Sequence, residues 1–211
     1  MRLYASMTTT KRNRAALKAH GWRWLITPDS RTRDTGGMPY AIDNGKWGAF
    51  NSGTPWNEQA FVALVAEMGA GADWMVVPDI VGGGLDSLAL TIDWLPRLRA
   101  LVPDGLLLIA VQDGMTPGDV RPLLTSGVGL FVGGTTDWKL QTLSQWADLA
   151  HDVGVYIHCG RVNSARRMHL CIAAGVDSVD GTSASIYAVT CPELTRAASQ
   201  TDIEGYLRRA A

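Results

Sequence analysis

Five short apolar runs in this 211-residue chain end in an acidic or glycine-rich segment. They lead into Asp43-Asn44-Gly45, Asp79, Gln112-Asp113-Gly114, Gly133-Gly134-Thr135 and Asp180-Gly181-Thr182. Another run ends in His158-Cys159-Gly160-Arg161. Carboxylates can move protons, attack an electrophilic carbon or stabilise a developing cation. Paired glycines can turn backbone N–H groups toward an oxygen. If the runs are parallel barrel strands, these loops share the C-terminal rim, where barrel enzymes keep their chemistry.

The rest of the chain supplies the elements such a rim needs. Strand-like stretches are expected at Leu3–Ser6, Trp22–Thr27, Tyr40–Asp43, Trp74–Pro78, Leu106–Val111, Gly129–Val132, Val155–His158 and Asp177–Asp180. Helical spacing falls at Thr10–His20, Asn57–Met68, Leu85–Leu101, Pro117–Thr125, Asp137–Val153, Ala165–Ala174, Ser185–Tyr187 and Pro192–Leu207. Pro96 is expected to kink or split its helix. Pro28 to Pro39 reads as a loop. Strands alternating with helices point to an α/β fold, a compact single (β/α)8 barrel over residues 1–211. An open doubly wound sheet is the rival, since strand order is not written in a sequence.

Composition narrows the setting. With 46% hydrophobic residues the chain can bury one full core. Most of its eight Trp are expected inside. A net charge of −1 gives no global attraction for polyanions, so a nucleic-acid contact needs a local patch. Cys159, Cys171 and Cys191 include no C-x-x-C pair, which argues against a disulfide framework or a cysteine zinc ribbon. No signal-like or membrane-spanning apolar stretch is present, and a reducing cytoplasmic setting is expected.

Each candidate has a plainer reading. Asp180 can cap the helix after it, Asp43-Asn44-Gly45 can be a hairpin turn, and Asp79 can bond nearby loop amides. Gln112 and Asp113 are adjacent, so one of them should face the mouth. Gly133-Gly134 can be an ordinary turn. His158 can be a buried, hydrogen-bonded core residue. Arg161, Arg166 and Arg167 can grip phosphate beside Ser164 at a helix N-terminus, or form a solvated face. Lys11, Arg12, Arg14 and Lys18 form a second basic cluster, read as surface.

Taken in order, the motifs from Tyr40 to Thr182 resemble the tRNA-guanine transglycosylase superfamily. They are most similar to its small phage and bacterial members that place 7-deazaguanine bases in DNA. The resemblance implies a (β/α) barrel with Asp180 as nucleophile and Asp43 in acid/base chemistry. Asp79, Gln112, Gly133 and Gly134 would contact the base, with Asp113, His158 and Arg161 alongside. The tRNA enzymes carry a C-terminal zinc site of three Cys and one His, whose spacing is missing here, which favours DNA over tRNA. No metal and no cofactor is implied; a homodimer or a partner protein could complete the nucleic-acid surface.

In the implied chemistry a carboxylate below the sugar stabilises an oxocarbenium-like transition state and bonds to C1′. A second carboxyl with a near-neutral pKa moves protons as the bases exchange. The target base must be flipped or single-stranded. Three other readings stand beside this one. A barrel lyase or isomerase would take a small phosphorylated metabolite at Gly133-Gly134. A metal-dependent hydrolase would use Asp43, Asp79, His158 and Asp180. A catalytically silent barrel would only bind nucleic acid or a partner.

Overall fold

Arg2–Ser6 (β1) lies between Arg23–Ile26 (β2) and Ser178–Gly181 (β8), parallel to both, and that contact closes the sheet. Between them run Tyr40–Ile42 (β3), Met75–Val76 (β4), Leu107–Val111 (β5), Val128–Val132 (β6) and Ile157–Cys159 (β7). Each strand pairs with its sequence neighbours, giving a closed barrel of eight parallel strands, so the open-sheet rival does not hold. The structure is a computed structural model that describes residues 1–200.

The surrounding helices are Lys11–Ala19 (α1), Lys46–Ser52 (α2), Glu58–Met68 (α3), Gly84–Leu101 (α4), Pro117–Val120 (α5), Thr136–Val153 (α6), Ala165–Ala173 (α7), Ser183–Ile186 (α8) and Cys191–Ser199 (α9). Local chemistry sets several ends. Asn57, Thr135 and Ser164 accept backbone N–H groups at the starts of α3, α6 and α7. Gly154, at φ 73°, ends α6 in the left-handed conformation that glycine adopts without strain.

Helix α4 contains Pro96 and is not split by it. Two sequence expectations need correction. Asp43-Asn44-Gly45 makes no hairpin; it leads directly into α2, an element the sequence reading lacked. The last helix stops at Ser199, and the remainder of the expected Pro192–Leu207 helix lies outside the described residues. Among the described residues no helix is long and apolar enough to cross a membrane.

Two apolar layers hold the barrel. Outward-facing strand residues such as Ile109, Val111, Leu130, Ile157, Cys159 and Val179 pack under the helices. Five of the eight Trp (Trp22, Trp24, Trp74, Trp94 and Trp146) are buried, while Trp47 stands exposed. Inside the barrel the filling is unusually aromatic. Tyr4, Trp74 and Phe131 enclose His158, whose ring stacks on Phe131 at 4.8 Å and 23° and lies 4.5 Å from Trp74. Leu25, Val76 and Ala110 sit above this layer, closing the bottom of the mouth.

Alternation along the last two strands carries this interior into the site. On β8, Ser178 and Asp180 point inward while Val179 joins the outer layer; on β7, His158 points in between Ile157 and Cys159. Gly129 on β6 lets the strands approach closely, because a Cβ there would collide with the carbonyl of Tyr156. Gly129→Ala should therefore cost about 1–3 kcal/mol of stability, the usual weight of overpacking. An unchanged denaturant midpoint would show that the backbone there gives way freely.

Candidate active site at the barrel mouth

The C-terminal mouth holds a cavity of about 780 Å³. Asp43, Asp79, Gln112, Asp113, Gly133, Gly134, Arg161 and Asp180 all border it. Its floor is apolar, with Leu25, Val76, Ala110 and Phe131, and Trp47 and Phe50 of α2 form one wall.

Asp180 is 7% exposed yet faces this cavity. Its Oδ1 accepts the backbone N–H of Arg161 at 3.1 Å and lies 3.0 Å from His158 Nε2. Its Oδ2 has no hydrogen-bond partner among the described residues. It does not cap α8, whose N-cap is Thr182, so the capping alternative is set aside. Burial holds the His158 pKa below its ordinary value against the pull of Asp180, which favours the neutral ring. A neutral ring facing a carboxylate must place its proton on Nε2, leaving Nδ1 to accept from the Ser178 hydroxyl at 2.7 Å. His158 is fully buried and does not border the cavity, so the expected substrate contact is replaced by support for Asp180.

Asp43 is in a different state. Burial raises its pKa to about 7; the Gly45 N–H, 2.7 Å from Oδ1, works against that, and the charges of Asp180 and Asp79 add to it. Asp79 is also raised, chiefly by burial, with Asn44 and Lys46 opposing. Asn44 is the residue that sequence reasoning passed over as a turn signal. It is buried, donates to Val77 O at 3.0 Å and Asp79 Oδ1 at 2.9 Å, and accepts from Lys46 N at 2.9 Å. It thereby ties the β3 and β4 loops together.

Other expected contacts are already engaged. Gln112 Nε2 donates to Ile80 O and Ser87 Oγ, and its Oε1 accepts from Gly82 N at 2.7 Å, so it braces the β4 loop. Asp113 accepts the Thr135 N–H and hydroxyl, both at 2.7 Å. Partial burial opposes them, but these bonds hold its pKa below the ordinary carboxylate value. The Gly133 N–H belongs to the β5–β6 ladder, whereas that of Gly134 has no backbone partner among the described residues. Gly181 leaves no room for substrate, since Asn163 and Val162 fill the space above it.

The basic triad does not assemble. Arg161 crosses the mouth, donating to Gly134 O and lying 4.2 Å over the Trp47 ring. Arg166 is exposed on α7, and Arg167 borders not the mouth but a crevice of about 20 Å³ outside the barrel, which Arg161 also borders. On α1, Arg14 and Lys18 instead hold the β2–β3 loop through Asp34 and Gly36 carbonyls. Among the described residues no three His, Cys, Asp or Glu side chains converge as a metal site, so the four-residue donor set of the hydrolase reading is not formed.

No protein-family model matches the chain, and no curated protein does. Solved structures match it along nearly its whole length. A malate synthase from Haloferax volcanii is 12% identical with a TM-score of 0.55, covering 94% of this chain and 71% of its own. The Amycolatopsis orientalis BexX/CysO complex is 13% identical with a TM-score of 0.59, covering 97% and 89%. An HpcH/HpaI aldolase from Desulfitobacterium hafniense is 9% identical with a TM-score of 0.55, covering 95% and 93%. At these identities the likeness is to the barrel; none of the three is named as a transglycosylase.

The state of Asp43 has a consequence for stability. Its folded pKa of about 7 lies above the ordinary 3.8, so the folded protein binds more protons between those values. Its contribution to stability therefore declines as pH rises from about 4 to about 7. Asp43→Asn, which keeps an acceptor for Gly45, should exceed the parent in stability at pH 8 by about 1–3 kcal/mol, discounted for partial exposure. Below pH 4 the two should match. Urea midpoints at both pH values check this.

Proposed function

We propose that the protein exchanges guanine in nucleic acid, DNA in preference to tRNA, for a 7-deazaguanine base through a glycosyl intermediate on Asp180. The observation that carries this reading is the contrast between two carboxyls in one cavity. Asp43 is poised near neutrality, while Asp180 has one oxygen fixed by donors and the other unpartnered. A proton-carrying acid beside a fixed nucleophile is what two-step glycosyl transfer requires. Asp79 and the free Gly134 N–H are the groups left to meet a purine edge. Trp47 and Phe50, 44% and 63% exposed and stacked on each other, offer aromatic surface beside the mouth for an unstacked strand.

The second reading is a lyase or isomerase acting on a phosphorylated metabolite. Likeness to a malate synthase and an aldolase favours it at the level of fold. The local chemistry does not: Asp113 already occupies the Thr135 N–H at the start of α6, putting a negative charge where a phosphate would sit.

Guanine-labelled single-stranded DNA with a 7-deazaguanine acceptor separates the readings. The parent should release labelled guanine. Asp180→Ala and Asp180→Asn should both lower release by at least about 1000-fold, because a neutral amide is no substitute nucleophile. Activity surviving in Asp180→Asn would remove Asp180 from that role, and tight binding of phosphorylated metabolites without base release would favour the second reading.

For Asp43, kcat/KM should carry an inflection near pH 7 that Asp43→Asn abolishes together with most of the rate. A profile with the same inflection in Asp43→Asn would assign it to another group.

A further inference from the structure

Lys139 is a buried cation that the proposed chemistry does not use. It is the fourth residue of α6, is 7% exposed, and borders the small outer crevice rather than the mouth. Burying an ammonium is costly without a partner, and a cation in the first turns of a helix opposes the helix dipole. Among the described residues no carboxylate pairs with it; its hydrogen bond goes to the carbonyl oxygen of Gly160.

That carbonyl belongs to the same peptide group as the Arg161 N–H that donates to Asp180 Oδ1 at 3.1 Å. Arg161, at φ 61°, is the single non-glycine residue with positive φ among those described, a conformation held only by its surroundings. Gly160 lets this peptide sit against the site: a Cβ there would meet Phe131 at 2.7 Å and Asp180 Oδ1 at 3.3 Å. The groups facing Lys139 are Cys159 on β7, Cys171 on α7, Arg161 after β7 and Asp180 on β8. Burial lowers the Lys139 pKa, with Arg161 adding to that and the other three opposing.

We propose that Lys139 is a positioning residue that anchors and polarises the Gly160–Arg161 peptide, so that its N–H fixes Asp180 Oδ1 and leaves Oδ2 toward the substrate. A cation on the carbonyl draws electron density through the amide and makes the N–H a stronger donor, the cooperative effect of linked hydrogen bonds. The kinetic consequence rests on the glycosyl-transfer reading; the structural consequence does not.

The test compares the full-length parent with Lys139→Met, which fills the same volume beside Leu140 and Leu143 without charge. The Arg161 amide proton should move upfield in the ¹H–¹⁵N spectrum as its bond to Asp180 weakens. In base release, kcat should fall by at least about tenfold with KM within about twofold, the weight of one charge-assisted hydrogen bond. Lys139→Arg should recover part of the loss. Should Lys139→Met not fold, Lys139→Gln keeps a donor without the charge and should show the same upfield movement. An unmoved Arg161 amide, or an unchanged kcat, overturns the inference. If the parent releases no base at all, the transfer reading fails while the amide resonance still decides the role of Lys139.

Discussion

The mouth of this barrel is organised around one buried oxygen, Asp180 Oδ1. It receives a neutral imidazole N–H from below and a backbone N–H from the side. An oxygen so nearly removed from water needs such donors, since a buried acceptor left without a hydrogen bond is costly. The arrangement starts well below the site. Tyr4, Trp74 and Phe131 confine the His158 ring, and the Ser178 hydroxyl meets its Nδ1 while Nε2 faces Asp180. An aromatic filling in place of the usual aliphatic layers thus serves orientation as much as packing.

The second constraint is burial. Asp43, Asp79 and Asp180 share one cavity with a mostly apolar floor. Burial raises the pKa of both Asp43 and Asp79, and the charges of Asp180 and Asp79 add to the rise at Asp43. Hydrogen bonds work against it, from the Gly45 N–H at Asp43 and from Asn44 at Asp79, where Lys46 also helps. Asp43 is still carried up to about 7, the range in which a carboxyl can pass protons at neutral pH.

Much of the scaffold was legible because its cues are local. Apolar runs of strand length, helical spacing in α3 and α6, and glycines at the turns gave the alternation of a barrel. Asp43, Asp79 and Asp180 were readable for the same reason, since a carboxylate at the end of a barrel strand borders the mouth by position. Partners were not readable. Asn44-Gly45 has the dipeptide of a hairpin, but Asn44 is spent on Val77 and Asp79, and α2 begins at once. Gln112 and Asp113 looked like ligand contacts, but residues 30 and 22 positions away use their capacity. Arg166 and Arg167 fell beside Arg161 in sequence, yet only Arg161 borders the mouth. Long-range hydrogen bonding of this kind leaves no periodic mark in a chain.

The most direct measurement is the mass of the protein quenched during turnover with guanine-containing single-stranded DNA, followed by peptide mapping. A DNA adduct is expected on the peptide carrying Asp180, formed as guanine leaves and discharged when the 7-deazaguanine is added. Guanine release with no adduct on that peptide under rapid acid quench, or an adduct mapped to Asp43 or Asp79, would contradict it.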